Sequence, residues 1–448
     1  MTDERLFSNT DLRRLIVPLV LEQALNLLVG MVDTMMISSA GEAAVSGVSL
    51  VDMINVLIFS VLAAMATGGS VVAAQYLGAR KPQKGREAAD QLMLTALVLG
   101  LVLTAVVFVF YRPILRLLFG SIEADVMRNA EIYFLITALS YPFLGIYNSC
   151  ASLFRAMGNA KITFEASIIV NTFNVIGNAV GVYVLHAGVA GVAVPTMLSR
   201  VVGALILFVL LLKRREGQEI WITAHIPKPD TVMIRKILRI GIPNGLENGI
   251  FQFGRLIVVS IISLFGTVQI AANGVANSID YLGLVGGQAM GLAMITVIGQ
   301  CVGAGDETQV RYYLKKMMGI SYILFLINDL PIVIFLKPIL SLYGLQEETT
   351  SLAAVLIIIH AVGAVVLWTP AFVFPYMLRA CNDVKFPMVV SIASMFCFRI
   401  GFSYVLGVWL GWGAVGVWIA MLMDWVCRCI CFGLRYRGGK WRRTAGFV

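Results

Sequence analysis

Charge is scarce in this 448-residue chain. Only 13% of its residues are Asp, Glu, Lys or Arg, against 59% hydrophobic, and the mean hydropathy is +0.87. A soluble domain carries about a quarter charged residues, so a water-soluble globular fold is excluded. Catalytic signatures are missing as well. There is no phosphate-cradling Walker loop, no HExxH zinc motif and no GxSxG nucleophile elbow. An enzyme is therefore not expected, and neither is an ATP-driven machine. Seven cysteines form no disulfide framework. Cys427, Cys429 and Cys431 in "CRCIC" resemble a metal motif, but on a helix residues two apart point in different directions. They read as apolar thiols, and no resident metal or cofactor is expected. The opening "MTDERLFSNTDLRR" is not a signal peptide: no short apolar stretch ends in a small-residue cleavage site, so the first apolar segment stays.

What is present is a series of long apolar runs. A spanning helix needs about 20 such residues. Twelve runs qualify, near 14–38, 50–74, 92–111, 132–153, 162–186, 189–212, 238–264, 272–299, 317–338, 353–378, 387–409 and 412–434. They are continuous rather than alternating, which excludes a β-barrel and predicts an all-α polytopic membrane protein. Lys and Arg gather on alternate loops. One side holds Arg13 and Arg14, the "ARKPQKGRE" loop, Arg155 and Lys161, the "KRREGQ" linker, Arg311, Lys315 and Lys316, and the tail "RYRGGKWRR". Four short loops of the other side, "SSAGEAA", "LHAGVAG", "LFGTVQ" and "GVWLGWG", have none. The positive-inside rule then predicts a multi-pass protein of a bacterial cytoplasmic (inner) membrane with both termini cytoplasmic. Topology accounts for the formal net charge of +9, so a nucleic-acid partner is not expected.

The chain also repeats itself. "LRRLIVPLVLEQ" (12–23) aligns with "ILRIGIPNGLEN" (237–248), an offset of 225 that puts Pro18 on Pro243 and Glu22 on Glu247. The same offset carries Gly41 to Gly266 and Gln75 to Gln300. "FRAMGNAK" (154–161) matches "LRACNDVK" (378–385), and "AGVAGVAV" (187–194) matches "WGAVGVWI" (412–419). This predicts an N-terminal six-helix lobe (1–212), a cytoplasmic linker (213–236) and a C-terminal six-helix lobe with a basic tail (237–448). Six helices is an even number, so both lobes share one orientation, a parallel repeat whose pseudo-symmetric lobes form a V and can rock for alternating access.

An ionisable residue within a spanning helix costs about 2.5–3.5 kcal/mol on insertion scales and is a functional candidate. In the first helix Glu22, Asn26 and Asp33 share one stripe, because 11 residues is close to three turns. Pro18 removes one backbone hydrogen bond from the same helix and can act as a hinge. Asn171, Asn174 and Asn178 form a second stripe in the fifth helix. The second lobe is different. Val258 stands where the first lobe has Asp33, and Phe398 where it has Asn174. Its polar residues carry both signs. Asn244, Glu247, Asn248, Gln252 and Arg255 lie on the seventh helix, with Arg399, Asp424, Asp280 and Asp329 beyond, which suggests internal pairing such as Arg399–Asp424. Asn26, Asn171, Glu247, Asn248, Gln252 and Arg255 are candidates to line a substrate cavity.

"GMVDTMMIS", "AAQYLGAR", "FRAMGNAK", "NTFNVIGN" and "AGVAGVAVPT" together resemble the multidrug and toxic compound extrusion (MATE) family over essentially the whole chain. The resemblance implies a cation-coupled antiporter, driven by H+ or Na+, that exports organic, often cationic, drug-like compounds and functions as a monomer among membrane lipids. It is nearest the DinF-like subgroup. There Asp33 matches the coupling carboxylate, Pro18 the proline at which the first helix bends, and Asn174 and Thr196 the amide and hydroxyl of a first-lobe cation site. Asn178 stands where that subgroup usually has a second aspartate, which subtracts a charge from an Na+ site built of Asp33, Asn174, Asn178 and Thr196. Glu22 could supply that charge. Arg255 and Arg399 keep a second cargo open, lipid-linked saccharides moved by a flippase of the wider superfamily.

Overall fold

The computed structural model describes residues 5–39, 41–120, 122–212, 218–223, 225 and 227–447. Residues 213–217, at the start of the expected linker, lie outside them. All elements among the described residues are helical. They are α1 (Asn9–Ser38), α2 (Glu42–Gly78), α3 (Pro82–Phe119), α4 (Ala124–Ala138), α5 (Tyr141–Ala156), α6 (Ala160–Val184) and α7 (Ala190–Leu212). After the linker come α8 (Thr231–Ser263), α9 (Thr267–Gly283), α10 (Val285–Gly303), α11 (Glu307–Ile334) and α12 (Leu336–Ser341). The chain ends in α13 (Glu347–Ala380), α14 (Lys385–Trp409), α15 (Gly413–Arg437) and α16 (Lys440–Ala445).

Eleven helices are long and apolar enough to cross a membrane, twelve if α4 and α5 form one bent span. The chain is a multi-pass membrane protein. Three runs that read as single helices are interrupted, that at 317–338 by Phe335 between α11 and α12. The run at 132–153 bends by 47° between α4 and α5, where Pro142 cannot donate a backbone hydrogen bond. The run at 272–299 breaks at Leu284, between Gly283 and the pair Gly286–Gly287. Pro18, by contrast, sits inside the unbroken α1.

The chain forms two compact units. The first runs from Asp11 to Gly245 and so takes in the opening turns of α8. The linker is tied to α3 within it: Thr223 N donates to Asp90 at 2.9 Å, and Gln91 donates to the Lys228 carbonyl at 2.8 Å. The second unit holds Leu246 onward together with the N-terminal residues up to Thr10. In it Phe7 and the Tyr313 hydroxyl exchange two hydrogen bonds of 2.9 and 2.6 Å, and the tail closes on α11 through Arg442–Glu307 at 2.7 Å beside the fully buried Trp441. The repeat is visible in the backbone. Left-handed conformations recur at Gly41 and Gly266, φ 100° and 93°, and at Gly188 and Gly413, φ 56° and 58°. A residue with a side chain would be strained there, so glycine recurs with the turn.

Candidate functional site

In the first unit α1 and α6 run side by side and in parallel, joined by three polar rungs. The polar positions of α1 fall within about 40° of one another around the helix, and those of α6 within about 80°, so the two stripes can meet along their length. At the first rung Thr163 Oγ1 donates to Glu22 Oε2 at 2.8 Å, and Arg155 Nη1 lies 3.6 Å from Glu22 Oε1. At the second, Asn171 Nδ2 donates to Asn26 Oδ1 at 3.0 Å. At the third, Asn178 Nδ2 donates to Asp33 Oδ1 at 2.8 Å.

Asn174 completes the third rung. With its amide oxygen accepting from Thr196 Oγ1 at 3.0 Å, its nitrogen donates to both Asp33 oxygens, at 3.0 and 3.1 Å. This orientation satisfies both ends of the amide. Asn174 and Asn178 are buried, while Asp33 and Thr196 are partly open. The Asn178 Oδ1 atom is buried and accepts no hydrogen bond from any described residue. Thus Asp33, Asn174, Asn178 and Thr196 form one cluster from α1, α6 and α7. Glu22 belongs to a separate rung with its own cation.

Two charged residues beside this cluster were passed over in the sequence reading. Asp52 on α2 accepts from Tyr133 Oη at 3.1 Å and from Asn55 Nδ2 at 3.3 Å, and Asn55 in turn accepts from Tyr141 Oη at 2.8 Å. Arg200 on α7 donates to Ser140 Oγ at 2.7 Å and lies 4.5 Å over the Phe59 ring. Arg200 feels the charge of both Asp33 and Asp52. The signal for both was available, since each is an ionisable residue inside an apolar run. The neighbourhood of Asp33 therefore holds two carboxylates and one guanidinium.

The second unit repeats the first rung and drops the third. Glu247 is buried, 2.8 Å from Arg379 and accepting from Ser391 Oγ at 2.7 Å. Glu247 and Arg379 are the repeat partners of Glu22 and Arg155. Arg255 lines a recess with Arg399, and Asn248 and Gln252 are part-exposed on α8. Arg399 Nη1 does lie 3.9 Å from Asp424, but the closer partner is Arg428, whose Nε donates to Asp424 at 2.9 Å. Asp280 is 3.2 Å from His360 Nδ1, and Asp329 is buried nearby.

Comparison with known proteins places these features. A family model described as MatE matches the chain twice, at residues 18–180 and 243–405, with the offset of 225 that the internal repeat has. The uncharacterized transporter YisQ of Bacillus subtilis (strain 168) is 26% identical over 435 residues, covering 95% of this chain and 93% of that protein. The probable multidrug resistance protein NorM of Thermotoga maritima is 24% identical over 439 residues, covering 97% and 93%. Among solved structures, a MATE protein in the bent conformation superposes with a TM-score of 0.87 at 20% identity over 97% of this chain and 96% of the other. A multidrug resistance MATE family transporter of the MOP superfamily, in an outward-facing conformation, gives 0.87 at 21% over 98% and 96%. These likenesses share the helical fold, and the two family matches together span most of the sequence: the chain belongs to the MATE family of membrane transporters.

Proposed function

We propose that this protein is a cation-coupled antiporter that exports small organic compounds, by alternating access of its two lobes, from a bacterial cytoplasm with both termini on the cytoplasmic side. Relatives named as probable multidrug resistance proteins support the cargo class. The observation that carries the coupling is the Asp33 cluster. A carboxylate sits inside a spanning helix, held by two amides, with no Lys, Arg or His within ion-pair distance among the described residues. Such a group can take up a proton or hold a cation, and its amide partners can turn to present oxygen instead of nitrogen. In the arrangement seen here amide nitrogens donate to both carboxylate oxygens and favour the ionised carboxylate, so a proton would be taken up against those bonds and a sodium ion once the amides turn to offer oxygen.

Glu22 is better read as a structural counter-charge, because Arg155 already neutralises it and the same pair recurs as Glu247–Arg379. Pro18 lies one turn before Glu22 in α1. Its missing N–H leaves a point at which α1 can bend and move the Asp33 stripe against α6. Asn26 and Asn171, on the rung next to the cluster, are proposed to meet the substrate.

The test is efflux of a fluorescent organic cation from vesicles, with a proton or a sodium gradient imposed one at a time. Asp33→Asn keeps the side-chain shape and removes the titrating group. Efflux should fall to the level of vesicles lacking the protein, whichever ion drives the parent. Undiminished gradient-driven efflux would sink the reading.

A further inference from the structure

The two lobes are copies, yet the same place in each carries opposite charge. In the first lobe it holds Asp33, Asn174, Thr196 and Asp52. At the offset of 225 these become Val258, Arg399, Met421 and Asn277, and Gly30 becomes Arg255. The offset in α14 grows along the helix, from 224 at Lys161–Lys385 to 226 at Gly181–Gly407. Wider π turns at Met395–Gly401 and Ser403–Trp409 take up the added residues. They turn Arg399, rather than Phe398, toward α8. Local π turns of this kind frequently mark functional positions.

Arg255, Arg399, Asn273, Asn277 and Trp418 surround a small recess of about 60 Å³ within the second unit, with Val258 and Met421 in its apolar wall. That is room for an acid head group and not for a whole small molecule. Its charges do not cancel. Asp424 gives one oxygen to Arg428 and Ser394, leaving Arg399 at 3.9 Å from the other. Arg399 Nε is buried and has no hydrogen-bond partner among the described residues. Arg255 touches only the hydroxyl and ring of Tyr281 and has no carboxylate within ion-pair distance among the described residues. The next residue back from Tyr281, Asp280, is turned to His360. Asn273 is fixed by Trp418 Nε1, which donates to its Oδ1 at 3.0 Å. Arg399 and Arg428 thus share one carboxylate and Arg255 has none within ion-pair distance among the described residues, inside a membrane protein, where an unpaired charge is expensive.

We propose that this recess is an anion-binding site, in which Arg255 and Arg399 grip the carboxylate or phosphate of an amphipathic molecule, with the apolar atoms next to that group against Val258, Met421 and Trp418 and the rest outside. Guanidinium forks match such groups, and the orphaned Nε gains the partner it lacks. The site stands apart from the Asp33 reading, and either can fail without the other.

The test uses the full-length protein purified in a neutral detergent and titrated calorimetrically with 2-naphthoate, with its uncharged analogue 2-naphthalenemethanol, and with inorganic phosphate. Saturable binding of naphthoate, competed by phosphate and not shared by the alcohol, is expected. Arg255→Gln should weaken it at least about tenfold, the scale of one lost charge-assisted hydrogen bond. Asn277→Asp places a carboxylate in the recess and should abolish it, with the added benefit of relieving the excess charge should Arg255→Gln fold poorly. Repeating the titration in phosphatidylcholine nanodiscs with and without phosphatidylglycerol separates the sources. Displacement of naphthoate by the anionic lipid identifies a headgroup as the natural occupant, and unchanged binding identifies a soluble acid. No binding, equal binding of the alcohol, or binding indifferent to both substitutions overturns the proposal.

Discussion

At the scale of single residues the two acids of α1 have different work, although they lie on one stripe. Glu22 is 4% exposed and answers to Arg155 and Thr163. Asp33 is more open and answers to amides. Removing one partner of a buried ion pair leaves the other uncompensated, at a cost of about 3–5 kcal/mol. The pair here is long, 3.6 Å, and the Arg155 side chain is 13% exposed, so the lower end applies. Glu22→Gln should therefore destabilise the protein by about 3 kcal/mol, read as a lower unfolding midpoint in detergent. Adding Arg155→Gln should recover part of that loss. Asp33→Asn, which removes no paired cation, should leave the midpoint close to that of the parent while efflux is lost. A Glu22→Gln protein that unfolds like the parent and loses coupling instead would move the coupling role to Glu22.

At the scale of helices, close backbone approach sets the tolerance to change. A Cβ placed on Gly181 would run into the carbonyl of Gly191, so α6 and α7 touch through their glycines at that crossing. Gly407 and Gly416 make the equivalent approach in the second unit. Gly30, on α1, has nothing within 4 Å of where its Cβ would be. Gly181→Val should accordingly abolish accumulation of folded protein in the membrane. Gly30→Ala should accumulate normally and gain up to about 1 kcal/mol from helix propensity. Sequence could reach the existence of these helices, because an apolar run of about 20 residues has few other fates. It could also reach the Asp33–Asn178 rung, since three amides at helical spacing had to face something polar. It could not fix the breaks at Leu139–Ser140 and Leu284, where apolar content continues, although Pro142 and the glycines around Leu284 mark weak points in the helices. Nor could it choose between Arg399 and Arg428 as the partner of Asp424. Both arginines are near it, and the i,i+4 relation within α15 decided the matter. Asp52 and Arg200 are legible as ionisable residues inside apolar runs, outside any repeated motif.

At the scale of the whole molecule, duplication separates what the lobe fold needs from what one lobe has acquired. The Glu–Arg pair occurs in both copies, at 3.6 Å in one and 2.8 Å in the other, and belongs to the fold. The acidic cluster occurs in the first copy only, and the basic recess in the second only. Because Glu22 and Glu247 lie in different compact units and share no partner, the effects of Glu22→Gln and Glu247→Gln on stability should add to within about 0.5 kcal/mol. A departure from the sum would mean that the two sites are energetically coupled. The same duplication constrains topology. Six spans per copy would return the chain to the side on which it began, and the proposed topology puts Arg13–Arg14 and Lys81–Arg86 of the first copy and Arg435–Arg443 of the second on that one side. The tail is held there by ion pairs with α11 and with Asp383, at 2.7 Å each. Green fluorescent protein folds only in the cytoplasm, and alkaline phosphatase is active only outside it. A fusion of the first to the C-terminus should be bright and a fusion of the second inactive, with the reverse pattern for fusions at Gly188, in a loop that carries no Lys or Arg. Equal reporter activity at the C-terminus and at Gly188 would require an even number of spans between them, and with it a unit that does not repeat six helices in one orientation.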